Sequence, residues 1–552
     1  MSGECSGKSS VRGKCNMAVQ VLDCTLRDGG YVNNWEFGKQ AIGSILEKLN
    51  GAGIDIVECG FLTSAPRGED CSLFSDPWQI EPLLPQRGRQ AMFVAMIAMG
   101  EGEISPDQLP LRQEGGLEGI RLTFHREDTE RAICWAREIQ QRGYRVFLQP
   151  VGTAFYRDLD LLRLVERVNS LSPFAFYIVD TLGSMYRNQV SRQFHLIDEN
   201  MAPGIRLGFH GHNNLQLAFS NAQTIASIQT KRDVILDSSV YGMGRGAGNL
   251  PTELITRYIN RNIQSRYQVA LVMDIYDEYI AFLRREYEWG YTMAYHIAAV
   301  HACHPNYAAY LLNKQTLTMQ DIEKILQSIP RDARVEFDRE RIHRLYAQYQ
   351  SRHLEDGAAV ETLRGLVRNR KVLVLAPGQS LRTRQQEILT FLRNEHPFVV
   401  AVNFADPKFQ VEACFVSNHK RLDIIGREVR SLEGVRLILT SNLSPFPGAD
   451  CLWVDYDRYL NQDPMVSDNA GLMLLKLLER CGVREAYLAG FDGFHHRHGG
   501  NYYSRAASLD VNGAEAAEKQ RRIREQLQKL TLRPIFLTPS VYGEEPTQNK
   551  EG

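Results

Sequence analysis

The chain has 552 residues, 64 of them basic and 65 acidic, for a formal net charge of −1. That length exceeds one ordinary core and predicts two or more domains. The charge balance gives no electrostatic reason for a nucleic acid or an anionic membrane surface as partner.

No apolar run reaches the roughly 18 residues of a membrane span. Met1-Ser2-Gly3-Glu4-Cys5 lacks the charged-then-apolar pattern of a signal peptide, so a cytoplasmic protein is expected. The ten cysteines include no Cys-x-x-Cys, which argues against a zinc ribbon or a disulfide framework. Cys24 and Cys59 lie in strand-like runs and read as small buried apolar residues.

Residues 1–16, rich in Ser, Gly and Lys, read as a disordered tail. Short β-rich runs then recur at 18–24, 54–60, 91–98, 119–124, 144–150, 174–180, 205–210 and 234–240. Most gaps hold helix-like sequence, as at 38–50 and 129–142, and this alternation predicts βα units with a parallel sheet. Eight such runs predict an α/β fold of the (β/α)₈ TIM barrel type over 17–285.

A barrel places its chemistry at the carboxyl ends of its strands. Those positions hold Arg27 and Asp28, then Glu58, Arg121 with His125, Gln149, Asp180 with Thr181, and His210 with His212. A strand turns residues i and i+2 to one face, about 6.6 Å apart at Cα, so both imidazoles of His210-Gly211-His212 can reach one cation. Asp28 is the matching carboxylate, and two His with one Asp leave coordination positions open for a substrate.

The loop Gly242-Met243-Gly244-Arg245-Gly246-Ala247-Gly248-Asn249 satisfies a dinucleotide fingerprint. Helical sequence follows it instead of a further βαβ unit, so it reads as the last βα loop, with Asn249 as a neutral oxygen ligand.

Four ordered motifs carry a resemblance: Thr-Leu-Arg-Asp-Gly at 25–29, Glu58, Gly-Phe-His-Gly-His-Asn-Asn-Leu at 208–215, and Gly-Arg-Gly-Ala-Gly-Asn-Leu-Pro at 244–251. Over roughly 18–315 the chain resembles the DRE-TIM metallolyases, nearest the 4-hydroxy-2-oxovalerate aldolase branch. The resemblance implies a metal-dependent aldolase acting on a 2-oxo acid. Asp28, His210 and His212 would be the metal ligands, Asn249 a fourth contact, and Arg27 the group facing the enolate oxygen. Mn²⁺ is the expected ion, with Mg²⁺, Co²⁺ or Zn²⁺ as alternatives.

The aldolase branch carries a histidine three positions after the metal Asp, where this chain has Tyr31. Either Tyr31 acts as an acid or the base lies elsewhere, with His125 and Tyr291 as candidates; a phenol is a poor base at neutral pH.

Residues 286–330, with Tyr291, His301, Cys303 and His304, read as a helical subdomain that closes the barrel or docks a partner enzyme or a second copy. Residues 331–369 read as a helical connector. Seven further β-rich runs at 371–376, 398–403, 413–417, 435–440, 451–454, 485–490 and 534–537 predict a second α/β domain over 370–541, with a tail at 542–552.

Its turn at Gly378 and Ser380 could present amides to a phosphate, and Asp492 ends a strand beside a loop bearing His495, His496 and His498. The block from Asn469 to Phe494 resembles Rossmann-like proteins found with surface-polysaccharide and pterin enzymes. That implies a nucleotide or sugar-nucleotide site and, through the fusion, a 2-oxo acid related to an unusual sugar. Two rival readings are an acyl-CoA condensing enzyme of the Claisen type and a non-catalytic scaffold of two binding modules.

Overall fold

The computed structural model describes residues 18–100, 102–430, 434–444, 450–494 and 513–543. The tail expected at 1–16, most of that at 542–552, and His495, His496 and His498 lie outside the described residues.

Two compact units divide the chain. One comprises the chain up to Ala309 with Ile329–Phe337; the other comprises Tyr310–Ser328 with the chain from Asp338 onward. The helical stretch expected over 286–330 is thus shared between them.

The first unit carries β1 (Val19–Asp23), β2 (Ile56–Leu62), β3 (Leu73–Phe74), β4 (Met92–Ala98), β5 (Gly119–Phe124), β6 (Arg145–Pro150), β7 (Ala175–Asp180), β8 (Arg206–Gly211) and β9 (Val234–Ser238). The pairing order β1-β9-β8-β7-β6-β5-β4-β2 closes through a β1–β2 pairing, every neighbour parallel, into an eight-stranded barrel. All eight expected runs are strands of it. The short β3, which no periodicity announces, pairs with the end of β2 at Phe61 and Leu62.

These strands are apolar almost throughout because each is buried on both faces. Leu22, Ile56, Val94, Phe147, Ala175, Tyr177 and Ile235 form a cluster drawn from six strands that fills the barrel interior. The opposite faces meet the helices. Helix Lys39–Gly51 buries Ile42, Ile45, Leu46 and Leu49, a three-and-four spacing that makes one stripe against the sheet.

Asp23, at the end of β1, ties the barrel's last helix to its first strand. Its Oδ1 accepts from the Thr25 amide at 2.9 Å and its Oδ2 from the Thr252 hydroxyl at 2.6 Å, at the start of helix Thr252–Asn262. Burial pushes its carboxyl up to about 6, with both Thr contacts opposing. An acid raised on folding binds its proton in the native state first, so stability falls as pH rises from about 4 to about 6 and then levels. Asp23→Asn lacks this term. In denaturant titrations its stability relative to wild type is expected to gain about 3 kcal/mol between pH 4 and pH 7; a pH-independent difference would contradict the assignment.

The second unit carries β10 (Val372–Leu375), β11 (Phe398–Val402), β12 (Ala413–Val416), β13 (Arg436–Thr440), β14 (Cys451–Val454), β15 (Glu485–Ala489) and β16 (Arg533–Phe536). All seven expected runs are present in one parallel sheet of order β14-β13-β12-β11-β10-β15-β16. The chain builds outward from β10 on one side through β14, then returns to lay β15 on the other. The strand order therefore reverses between β10 and β15.

Candidate active site

At the carboxyl ends of the barrel strands a buried ionic network runs through five residues. Arg27 follows β1 and donates from Nε to Glu58 Oε2 at 2.8 Å and from Nη1 to Asp28 Oδ2. Glu58 Oε2 also accepts from Arg121 Nη1 at 2.6 Å, and Arg121 Nη2 donates to Asp237 Oδ2. The side-chain oxygen of Gln149, in the orientation that satisfies both groups, accepts from Arg121 Nε at 2.9 Å. Arg121 has no exposed surface, and its guanidinium lies 5.1 Å from the Tyr177 ring centroid inside the barrel.

His210 ends β8, and its Nδ1 stands 3.0 Å from Asp237 Oδ2. A proton on Nδ1 donates to that carboxylate, which leaves the Nε2 lone pair turned to Asp28 Oδ2 at 3.5 Å. His212, just past the strand, places its ring centroid 5.2 Å from that of His210. Ligand atoms of Asp28, His210 and His212 all lie within 4.8 Å of one another, and all three residues are buried.

The electrostatics drive Asp28 and His212 to forms that can ligate a cation, while the flanking carboxylates draw His210 toward its protonated form. Burial would raise the Asp28 carboxyl, but Arg27 and then His212 and His210 hold it well below the usual range. Burial pushes His212 down to about 3, with Asp28 opposing, so its imidazole is neutral. Burial also acts to lower His210, yet Asp237 and Asp28 outweigh it and raise its pKa.

Residues of this type fit a divalent cation. Asn249 Nδ2 donates to Asp28 Oδ1 at 3.0 Å, while Asn249 Oδ1, His212 Nδ1, Glu58 Oε1 and Arg27 Nη2 are buried without a hydrogen-bond partner. Unsatisfied polar atoms at that depth are costly, and their concentration in one cluster is what a polar guest relieves. Gly244 lets the last βα loop come this close: a Cβ there would lie 2.3 Å from Asn249 Nδ2 and 2.9 Å from Asp28 Oδ1.

The HMGL-like family model matches residues 125–277. Over 279 residues the chain is 28% identical to 4-hydroxy-2-oxovalerate aldolase of Marinomonas sp. (strain MWYL1), covering 48% of this chain and 78% of that protein. Over 304 residues it is 27% identical to the enzyme of the same name from Thermomicrobium roseum, with coverages of 52% and 81%. The barrel is thus similar to HMGL-like domains over 125–277, and its relatives support a carbon–carbon lyase. Among solved structures, HMG-CoA lyase of Bacillus subtilis aligns with a TM-score of 0.39 at 14% identity, over 48% of this chain and 92% of that one.

In the barrel Arg27, Asp28, Glu58, Arg121, His210, His212 and Asn249 come together, as does Gln149. The other expected site residues are engaged elsewhere. Asp180 accepts from the amides of Ser184 and Met185 at 2.9 and 3.0 Å, with burial pushing its carboxyl up to about 6, and so shapes the loop after β7. Thr181 Oγ1 accepts from the Gly152 amide at 2.9 Å. His125 is partly exposed beside Glu336, at 3.4 Å, and Tyr291 is exposed with its ring 6.3 Å from that of His296.

Tyr31 stands at the edge of the site. Its ring packs against Trp35 at 4.8 Å and Phe61 at 6.1 Å, with the Arg245 guanidinium 5.2 Å from its centroid.

Three contributors went unassigned in the sequence. Asp237 orients His210 and neutralises Arg121, and its signal was a carboxylate inside the apolar run 234–240. Arg245, whose Nε is buried without a partner, was hidden among loop glycines. Asn214 clamps the last loop, accepting from the Ala247 amide at 2.9 Å and donating to the Leu182 carbonyl at 2.9 Å.

Proposed function

We propose that the barrel is a divalent-metal-dependent aldolase that breaks or forms the bond between C3 and C4 of a 4-hydroxy-2-oxo acid, with pyruvate as the smaller product. The observation that carries this reading is the buried group Asp28, His210 and His212, set beside a guanidinium with an unpaired Nη2. The relatives named above share the carbon–carbon lyase chemistry.

Asp28, His210 and His212 would hold the cation, with Asn249 Oδ1 in reach, and Mn²⁺ is the ion first expected. Such a cation supplies Lewis-acid stabilisation to the substrate's 2-oxo and carboxylate oxygens. In cleavage a base takes the 4-hydroxyl proton, and the oxygen's electron pair closes the aldehyde carbonyl as the C3–C4 bond breaks. That bond's pair moves into C2–C3 as negative charge gathers on the keto oxygen, and C3 then takes up a proton to give pyruvate. Arg27 Nη2 is the fixed donor for that charge. A preorganised donor of this kind is worth about 2.7–4 kcal/mol of barrier. Asp237 keeps His210 in the tautomer that presents Nε2, and Glu58 fixes the planes of both guanidiniums.

Tyr31 is assigned the proton transfer at the barrel mouth, held between Trp35 and Arg245. Tyr31→Phe is expected to lower kcat by about 10²-fold with metal content and KM little changed. Unaltered turnover would move the role to another group.

The reading is tested without knowing the aldehyde. In D₂O the enzyme with Mn²⁺ should exchange the C3 protons of pyruvate, followed by proton NMR, because the same carbanionic charge forms from pyruvate alone. Exchange that persists after chelation of the metal would refute it.

A further inference from the structure

The second unit holds a cleft of about 1000 Å³ at the carboxyl ends of its strands. Its floor is Ala376-Pro377-Gly378 after β10 and Gly490 to Phe494 after β15. These are the two strands between which the order reverses, and in open parallel sheets the crevice at that reversal is where ligands bind. The volume stands at the upper end for small-molecule sites, far more than an inorganic ion requires.

The charge of the walls is one-sided. Five cationic residues line the cleft, Lys314, Arg339, Arg344, Arg421 and Lys519, against three acidic ones, Glu340, Asp468 and Asp492. The acids are already engaged. Asp492 accepts from the Ser380 amide at 2.7 Å and from the Ser380 hydroxyl, Asp468 accepts from the Tyr346 hydroxyl at 2.6 Å, and Glu340 stands 3.8 Å from Arg344.

Lys314 has no carboxylate within ion-pair distance among the described residues; its ammonium lies 5.0 Å from the Tyr346 ring centroid and 5.4 Å from that of Tyr310. Burial pushes its pKa down, Asp468 opposes, and the like charges of Lys519 and Arg339 push it further. Crowded like charges in a partly desolvated cleft are a cost that an anion removes.

The Gly378–Ser380 turn is not the anion's place, because the Asp492 carboxylate already takes the Ser380 amide. The anion pole is the cationic wall instead. The rest of the lining is of another kind: Asn403 at the end of β11, with its Oδ1 buried and unpartnered, Asn418, and the apolar Val402, Met465 and Phe491.

We propose that this cleft is a second ligand site, separate from the barrel, for a nucleoside diphosphate. The cationic wall takes the pyrophosphate, and the amide and apolar side takes the nucleoside.

The test is calorimetric titration of the full chain with ADP, GDP, UDP and CDP, and with inorganic pyrophosphate as control. At least one nucleoside diphosphate should bind saturably at micromolar concentration and more tightly than pyrophosphate. Lys314→Gln and Arg339→Gln should each weaken it at least tenfold while leaving the barrel's metal content and pyruvate release unchanged. Arg339 is exposed, so its substitution keeps the test open if Lys314→Gln fails to fold. Absence of binding at millimolar concentration, pyrophosphate binding as tightly as every nucleotide, or unchanged affinity in the variants would each overturn the proposal.

Discussion

Asp28→Asn is expected to lower kcat/KM for 2-oxo acid cleavage by about 10³-fold or more, some 4 kcal/mol of barrier, and to abolish stoichiometric metal binding. The substitution keeps the shape of the side chain and removes its charge. Two consequences follow from the geometry. The cation loses its only anionic ligand among Asp28, His210 and His212, and Arg27 loses one of its two carboxylate partners while keeping Glu58 at 2.8 Å. Because Glu58 still compensates Arg27, the barrel should fold. Steady-state kinetics with metal analysis on the same preparation check both halves, and a variant with wild-type turnover would exclude Asp28 from the chemistry.

Arg121→Met is expected to destabilise the barrel by about 3–5 kcal/mol, the scale for breaking a buried ion pair from one side. Arg121 is fully buried, and its loss leaves the Glu58 and Asp237 carboxylates facing each other's charge with less compensation. Burial acts to raise the Asp237 carboxyl, and Arg121 and then His210 hold it below the usual range. The midpoint of denaturant unfolding should fall accordingly, and Glu58→Gln added to Arg121→Met should recover part of the loss. A single-variant cost below about 1 kcal/mol would mean that the pair is hydrated, contrary to its burial.

The barrel was legible because parallel strands buried on both faces must be written as short apolar runs, and because glycine, histidine and carboxylate signals fall at their ends. The second sheet was legible for the same reason, and its strand order was not. Nothing in 371–376 or 485–490 says that these runs become neighbours across more than a hundred residues of chain, and the reversal between them is what builds the cleft.

The site residues separated along a physical line. Arg27, Asp28, His210, His212 and Asn249 were found because each sits at or just past a strand end or in a glycine loop; Glu58 and Arg121, read at strand ends as well, lie inside β2 and β5. Thr181 and Asp180 sit at a strand end too, yet they satisfy backbone amides, a local use that residue type does not distinguish from catalysis. Asp237 was passed over because it lies inside a run read only as hydrophobic. A carboxylate there must be paired or protonated, and the Arg121 of β5 is the partner to look for. Cys24 and Cys59 are fully buried, as their runs implied.

The most direct measurement is pyruvate release from a panel of 4-hydroxy-2-oxo acids, coupled to lactate dehydrogenase, with the enzyme first stripped of metal and then titrated with Mn²⁺. The account predicts no release from the stripped protein and turnover that rises to saturation at one equivalent of Mn²⁺ per chain. Release that is independent of added metal, or a protein that binds no divalent cation, would contradict it.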